Sequence, residues 1–322
     1  MSSPLPHPAR FGSNSGQSFS RRDGVAKVTG TATFAADNHP EGLLYAVYVP
    51  ATIARGKVSA LDVDAARAHP GVVEVITPAN RPPLAGDPDS KNFMFAFRFE
   101  ALQDDMVRYA NQPIALVLGE TIEAATEGAR LLNPQYEALP ARVGLDGDAA
   151  YKIETGAFGR PGETSFGDIE AGHAAAVVAV DVTYETSAQY HNAMETHAVV
   201  AAWDGDHLTL DMPNQAIVMS RAVYGYYFGI PAENVLIRSP YLGGGFGSKA
   251  IANGPQMLAI LAARMMGRPV KLMLPRAQMF GPVGHRGATR QQLRIGSDAQ
   301  GTLVVLDHAS LGTTSTFDDF VE

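Results

Sequence analysis

Leu242-Gly243-Gly244-Gly245-Phe246-Gly247-Ser248-Lys249 stands between a short β-rich run, Val235-Leu236-Ile237, and the most regular helical stretch of the chain, Pro255 to Met266. Three successive glycines free the backbone to take positive φ and let a ligand reach it with no Cβ in the way. Backbone N–H groups in such a bend form an anion cradle, and a helix N-terminus nearby adds positive potential. The spacing therefore predicts a strand, a bare loop and a helix. Two familiar phosphate loops do not fit. Counted from Gly243, a P-loop would put Ser248 where its second glycine belongs and Ala250 where its magnesium-binding hydroxyl belongs. Gly243, Gly245 and Gly247 give G-x-G-x-G, not the G-x-G-x-x-G of a dinucleotide fold. A glycine-rich turn kept for packing is the competing reading. Phe246 speaks against it, because a bulky aromatic in such a bend is costly unless it lines something.

The rest of the chain reads as short strands mixed with helices. Residues 1–19 are rich in Pro, Ser and Gly and predict a loose arm. Leu43 to Val49, Val72 to Ile76 and Ile114 to Leu118 read as strands, with short helices at Asp64 to Ala68 and Ile122 to Leu132. Gly128 weakens the last of these a little. Residues 20–145 thus form one α+β region. Residues 146–170, rich in Gly and acids, read as a linker. Residues 171–322 open with a strand over Ala174 to Val182. A hairpin follows, with Ala198 to Trp203 and His207 to Met212 flanking Asp204-Gly205. A helix at Ile217 to Tyr227 precedes the glycine loop, and strands at Val270 to Leu274 and Leu303 to His308 come after it.

The 322 residues suggest about two domains at ~150 residues each. Hydrophobic residues at 46% against 18% charged give a globular core rather than a disordered chain. The net charge of -8, with no basic cluster beyond Arg21-Arg22, argues against nucleic acid. The absence of cysteine excludes a protein-ligated iron–sulfur cluster, a Cys zinc site and a thiol nucleophile within this sequence. The longest apolar run, Ala174 to Val180, is far short of the ~20 residues a membrane helix needs. Ser20-Arg21-Arg22 resembles a twin-arginine signal, but the polar Asp23 to Lys27 follows where an apolar stretch should be. No targeting peptide is read, which leaves the cytoplasm or, by co-export with a partner, the periplasm.

Tyr190 to His197 gathers His191, Glu195 and His197, which would share one face of an extended strand. Zinc-protease helices place two His four apart with a Glu between, which this spacing does not supply. A hydrogen-bonded polar strand is the reading preferred over a metal site. Asn214-Gln215 ends the hairpin after Pro213, where amides usually cap or turn, and the methionines fit core filling.

Taken in order, several motifs resemble the large subunits of molybdenum hydroxylases, the xanthine dehydrogenase and aldehyde oxidase family. Arg22-Asp23-Gly24, Lys27 to Gly30, Ala32 to Asp37 and Asn111 to Val117 resemble the family's α/β hammerhead domain, with Asn111 where a Gly is usual. Met194 to His197, Asn214-Gln215 and Ser239 to Leu242 leading into the glycine loop resemble the first molybdopterin-binding domain. The overall look is that of the bacterial aldehyde oxidase branch. The resemblance implies an α+β chain, hammerhead first, then an incomplete molybdopterin-binding domain.

It also implies roles. Gln215 aligns with a glutamine that hydrogen-bonds an oxygen ligand of the molybdenum. Gly245, Phe246 and Gly247 align with loop residues whose backbone contacts the metal centre and the pterin dithiolene, and Gly244 shapes the turn. No side chain of this chain is assigned as a metal ligand or catalytic base, since the family's catalytic Glu belongs to a later segment. The implied cofactor is a molybdenum–molybdopterin cytosine or guanine dinucleotide. The implied partners are a second molybdopterin-binding half, a [2Fe–2S] subunit and an FAD subunit, with an aldehyde as substrate and the chain inactive alone. A split gene and a fragment both fit the ending. Two departures bear on substrate. Ser248 replaces a usual Gly and is expected to narrow the approach slightly. Ala250 stands where purine-oxidising members carry a Glu, which favours an aldehyde over a purine. A scaffold without cofactor, a purine or N-heterocycle hydroxylase subunit and a nucleotide-phosphate binder are the remaining alternatives.

Overall fold

The computed structural model describes residues 16, 18–87, 101–146, 150–156 and 159–315. The chain divides into two units, Met1–Thr33 and Phe34–Glu322. The first contains the short helix α1 (Gly24–Val28), and most of the N-terminal arm expected over 1–19 lies outside the described residues.

In the second unit the main element is a seven-stranded sheet. Its strands in chain order are β1 (Leu44–Pro50), β3 (Val72–Ile76), β5 (Pro113–Gly119), β8 (Ala198–Asp204), β9 (His207–Asp211), β10 (Val235–Arg238) and β11 (Val270–Met273). Their spatial order is β10-β9-β8-β11-β1-β5-β3. The pairs β1/β11 and β10/β9 are parallel and the rest antiparallel. Strands from before residue 146 and after residue 171 therefore complete one sheet. The linker separates two stretches of chain, not two sheets.

The continuous apolar run of β5 is explained by burial on both faces. Leu116 and Leu118 join the large cluster under helix α6 (Gly254–Met266), while Ala115 and Val117 join a smaller one with Ala66 and Leu132. That smaller cluster lies under α2 (Val63–Arg67) and α3 (Ile122–Leu131). Ahead of β5, Asn111 takes φ 66°, a left-handed conformation that Asn tolerates and that Gly would meet freely. Helix α5 (Ile217–Phe228) ends at Gly229 with φ 68°. Helix α6 starts at Asn253, whose side chain accepts the Gln256 N–H, has Pro255 in its first turn and ends at Gly267 with φ 60°.

The hairpin forms as expected, with Asp204 opposite His207 around Gly205-Asp206 and Gly205 at φ 55°. Two smaller sheets complete the unit. One is β4-β2-β6, from β2 (Gly56–Ala60), β4 (Met106–Val107) and β6 (Gln135–Ala138). The other is β13-β12-β7, from β7 (Val178–Thr186), β12 (Thr289–Ser297) and β13 (Leu303–Gly312).

The strand expected over Ala174 to Val182 is corrected. Helix α4 (Ile169–Ala175) occupies its start and the end of the expected linker, and β7 begins only at Val178. Asp168 caps α4 by accepting the Ala171 N–H. Gly172 presses so close to β13 that a Cβ there would stand 2.8 Å from the Val304 carbonyl oxygen. Alanine favours a helix once such a cap exists, and the β-branched residues begin only at Val177. Among the described residues no helix is long and apolar enough to cross a membrane.

Candidate functional site

Parallel pairing of β9 with β10 brings their C-terminal ends side by side, so the loops that follow meet at one sheet edge. The first carries Gln215, and the second is the glycine loop. Strand β8 runs antiparallel to β9, which brings Glu195 and His197, just ahead of it, to the same edge. Strand β11 ends there too, delivering Arg276 beyond it. The topology thus gathers residues separated by some eighty positions.

The loop is held from beneath. Gly243 N donates to Glu195 Oε2 at 2.8 Å, and Glu195 N donates to the Gly243 carbonyl at 3.0 Å. Lys249, fully buried, sends its Nζ to Glu195 Oε2 and to the Glu195 carbonyl, both at 2.8 Å. Burial holds the Lys249 ammonium below its usual pKa, and hydrogen bonding to Glu195 opposes that shift. Arg276 clamps the neighbouring turn, donating to Asn192 Oδ1 and to the carbonyls of Ala193 and Met194 at 2.7–2.9 Å.

The upper side of the loop is different. Gly247 N and Lys249 N donate to Gln215 Oε1 at 3.0 and 3.3 Å, and Gln215 N donates to the Lys249 carbonyl at 3.0 Å. With its carboxamide oxygen occupied twice, Gln215 presents Nε2 as its free end, and among the described residues that atom has no partner. The N–H groups of Gly244, Gly245 and Phe246 likewise find no acceptor among the described residues. Phe246 is 71% exposed with φ 53°, a conformation that costs an aromatic residue roughly 1–2 kcal/mol.

The glycines have local reasons. A Cβ at Gly245 would stand 2.3 Å from Gln215 Oε1, and one at Gly243 would stand 2.4 Å from Glu195 Cβ. Gly244 and Gly247 take φ 95° and 100°. What remains is a set of four donors, Gln215 Nε2 and the N–H groups of Gly244, Gly245 and Phe246, without a partner among the described residues. That fits an anionic group.

Gln215, Gly244, Gly245, Phe246 and Gly247 therefore come together, while the acids and histidines do not. The segment 190–197 is irregular, with Asn192 at φ 43°, so His191, Glu195 and His197 do not line one face of a strand. Glu195 is committed to Lys249. His197 is buried between Ser248 Oγ at 3.2 Å and Asn253 Nδ2 at 3.1 Å, and burial lowers its pKa to about 3, with Lys249 and His191 adding to the shift. Burial lowers the His191 pKa as well, aided by the charge of His285 and opposed by a hydrogen bond with the Gly284 backbone. Among the described residues no three His, Asp or Glu side chains converge as a metal site would require.

Ser248 corrects another expectation. It is 3% exposed and turns its hydroxyl inward, so it does not narrow the approach. The supporting residues Lys249, Asn253 and Arg276 received no role from the sequence, and Ser248 received only a steric one. Only Asn253, ahead of Gly254-Pro255, carried a local signal, that of a helix cap. A cleft of about 420 Å³ between Pro82–Ala85 and helices α5 and α6 contains none of these residues.

Comparison with known proteins agrees with this architecture. Residues 153–322 match the molybdopterin cofactor-binding domain, and residues 29–140 match the a/b hammerhead domain of aldehyde oxidase and xanthine dehydrogenase. The chain belongs to this molybdopterin-binding family of aldehyde oxidases and xanthine dehydrogenases. It is 39% identical over 298 residues to the aldehyde oxidoreductase molybdenum-binding subunit PaoC of Escherichia coli (strain K12), covering 92% of this chain and 39% of that one. It is 30% identical to the putative xanthine dehydrogenase molybdenum-binding subunit XdhA of the same organism, covering 88% of this chain and 39% of that one. Two solved structures share the fold. The reconstituted CO dehydrogenase from Oligotropha carboxidovorans does so with a TM-score of 0.78 and 22% identity, over 92% of this chain and 39% of that one. The aldehyde oxidoreductase from Desulfovibrio gigas does so with 0.75 and 23%, over 91% and 34%. The chain thus spans about two fifths of the length of the curated relatives it matches. The α+β class and the hammerhead followed by part of a molybdopterin-binding domain are both borne out.

Proposed function

We propose that this chain supplies one wall of the seat for a molybdenum–molybdopterin cofactor, in an oxidoreductase that hydroxylates aldehydes with oxygen from water. The observation that supports it is the set of unpaired donors: Gln215 Nε2 and the N–H groups of Gly244, Gly245 and Phe246. When bound, the cofactor supplies the two-electron acceptor and the oxygen-transfer chemistry. The chain's part is to bind and orient. Gln215 donates through a nitrogen whose direction is set by the two N–H groups on its oxygen. The glycine loop offers preorganised backbone donors, which stabilise negative charge without reorganising. Gly247 keeps the exposed side of the loop free of a Cβ atom, and Gly245 leaves room for the Gln215 carboxamide against the backbone.

The cytosine or guanine dinucleotide form of the cofactor belongs to the same proposal. So do a second molybdopterin-binding half bringing the catalytic Glu, and [2Fe–2S] and FAD subunits to carry electrons away. Phe246, Met194 and Val218, all exposed and each close in sequence to a residue of the site, would offer apolar surface to such a covering partner. Ala250, a methyl at the end of the loop, offers nothing for a purine to hydrogen-bond, which favours an aldehyde. The test is purification of this chain with its partners, followed by molybdenum and pterin analysis and turnover of an aldehyde and of xanthine. Molybdenum and pterin equimolar with the chain, with aldehyde oxidised, are expected. An intact complex without either would leave the scaffold reading, and turnover of xanthine alone would overturn the aldehyde assignment.

A further inference from the structure

Asn253 is oriented by its place at the start of α6. Its Oδ1 accepts the Gln256 N–H at 3.3 Å, so Nδ2 is the atom that lies 3.1 Å from His197 Nδ1. An amide nitrogen donates and cannot accept. Nδ1 is therefore the bare nitrogen of the imidazole, and the ring proton sits on Nε2. Nε2 faces Ser248 Oγ at 3.2 Å and donates to it. The hydroxyl then sends its own proton to the Gly245 carbonyl at 3.0 Å, which also accepts the Ser248 N–H at 3.1 Å. Each proton along this line has one place to go.

The Gly245 carbonyl and the Phe246 N–H belong to one trans peptide, where C=O and N–H point in opposite directions. Two inward donors on the carbonyl turn the N–H outward. The opposite orientation would otherwise be easy to reach. Gly245 accepts either value of ψ, and a flip of the peptide would relieve Phe246 of its left-handed φ of 53°. We infer that Asn253, His197 and Ser248 form a one-way hydrogen-bond relay that holds the Phe246 N–H in its donor orientation, against the backbone's own preference. All three are positioning residues and touch no ligand. The inference rests on the proposed cofactor seat for its purpose, but the orientation itself can be measured without cofactor.

The experiment uses the full chain, deuterated and 15N-labelled. Imidazole 15N shifts should show His197 neutral and protonated on Nε2; protonation on Nδ1 would overturn the relay. Residual dipolar couplings should place the Phe246 N–H vector outward in the wild type. Ser248→Ala should shift that coupling or split the signal, with the couplings of α6 and the seven-stranded sheet unchanged. Ser248→Thr, which keeps the hydroxyl, should restore it. Asn253→Asp still caps α6 but replaces the Nδ2 donor with an acceptor, and it should move the proton to Nδ1 and disturb Phe246 as Ser248→Ala does. A variant that only loosened packing would lower the melting temperature and leave the Phe246 vector in place. An unchanged Phe246 coupling in Asn253→Asp, or in both variants, overturns the inference. Should Ser248→Ala fail to fold, the wild-type tautomer and Asn253→Asp decide. Loss of the cofactor seat would show instead in molybdenum content, with these couplings intact.

Discussion

Burial, with smaller contributions from Lys249 and His191, lowers the His197 pKa from 6.5 to about 3. The ring titrates near its ordinary value of ~6.5 once the chain unfolds. Its folded pKa lies below its unfolded one, so between those values the unfolded state binds more protons. The stability this group contributes is present above ~pH 6.5 and is lost as pH falls toward 3. Within that window each pH unit costs up to ~1.4 kcal/mol. Going from about pH 7 to about pH 5 should therefore remove roughly 2 kcal/mol through this ring. Denaturant titrations of the wild type and of His197→Gln should show a flatter pH slope for the variant; parallel slopes would refute the assignment. Lys249 and Glu195 lead to a different comparison. With Lys249 0% exposed, Lys249→Met leaves the Glu195 carboxylate buried without its cation and should cost ~3–5 kcal/mol. Adding Glu195→Gln removes the stranded charge while keeping an acceptor for Gly243 N, so the double variant should melt above the single one.

Helix α3 shows why an element's propensity and its packing can disagree in sign. Gly128 lies in its interior, where Ala would favour the helix by ~1 kcal/mol. Yet a Cβ at Gly128 would meet Val72 Cγ2 at 2.7 Å and Val117 Cγ1 at 2.9 Å, both in the sheet beneath. Overpacking a core typically costs ~1–3 kcal/mol, so Gly128→Ala should be net destabilising by about 1 kcal/mol, read as a lower melting temperature. The sequence alone shows the weakness of Gly128 in a helix but not the two valines that require it. The same division runs through the fold. Helix α6, strand β5 and the β8–β9 hairpin were legible because cap, apolar run and turn residues are local. Strand β12 was not, since Thr289-Arg290-Gln291-Gln292 has no apolar alternation and its partners β7 and β13 lie elsewhere in the chain. Gln215 is the sharpest case. A carboxamide at a strand end has no signal of its own, and its place beside the glycine loop comes from the pairing of β9 with β10. The resemblance of scattered motifs to a family supplied what spacing could not. It gave Ser248 only a steric effect and Asn253 no role, because their hydrogen-bond partners are visible only in three dimensions.

At the scale of the whole molecule, the seven-stranded sheet joins two stretches of sequence that family comparison treats as separate domains. Strand β11 is the seam, pairing with β1 on one side and β8 on the other, and its Val270, Lys271 and Leu272 are buried. The large apolar cluster likewise mixes Leu44, Tyr48 and Leu118 with Val199, Leu208 and Leu258. Arg268 adds a two-pronged ion pair to Glu120, at 2.8 Å on each arm, and a hydrogen bond to the Gly42 carbonyl. The ion pair is partly exposed and contributes little by itself. The shared apolar core contributes far more, because separating the two stretches would expose it along the full length of β1 and β11. Neither stretch should therefore be stable alone, and the second unit should unfold as one cooperative step. Residues 150–322 expressed without residues 1–149 should show weak protection of the β8 and β11 amides in hydrogen exchange and should aggregate through the exposed β11 edge. Adding the first stretch back should restore that protection. Two separate unfolding transitions in the intact chain, or full protection of β11 in the isolated second stretch, would show instead that the sheet is only a contact between independent domains. In that case the glycine loop, which hangs from β10 and α6, would owe nothing to the hammerhead residues.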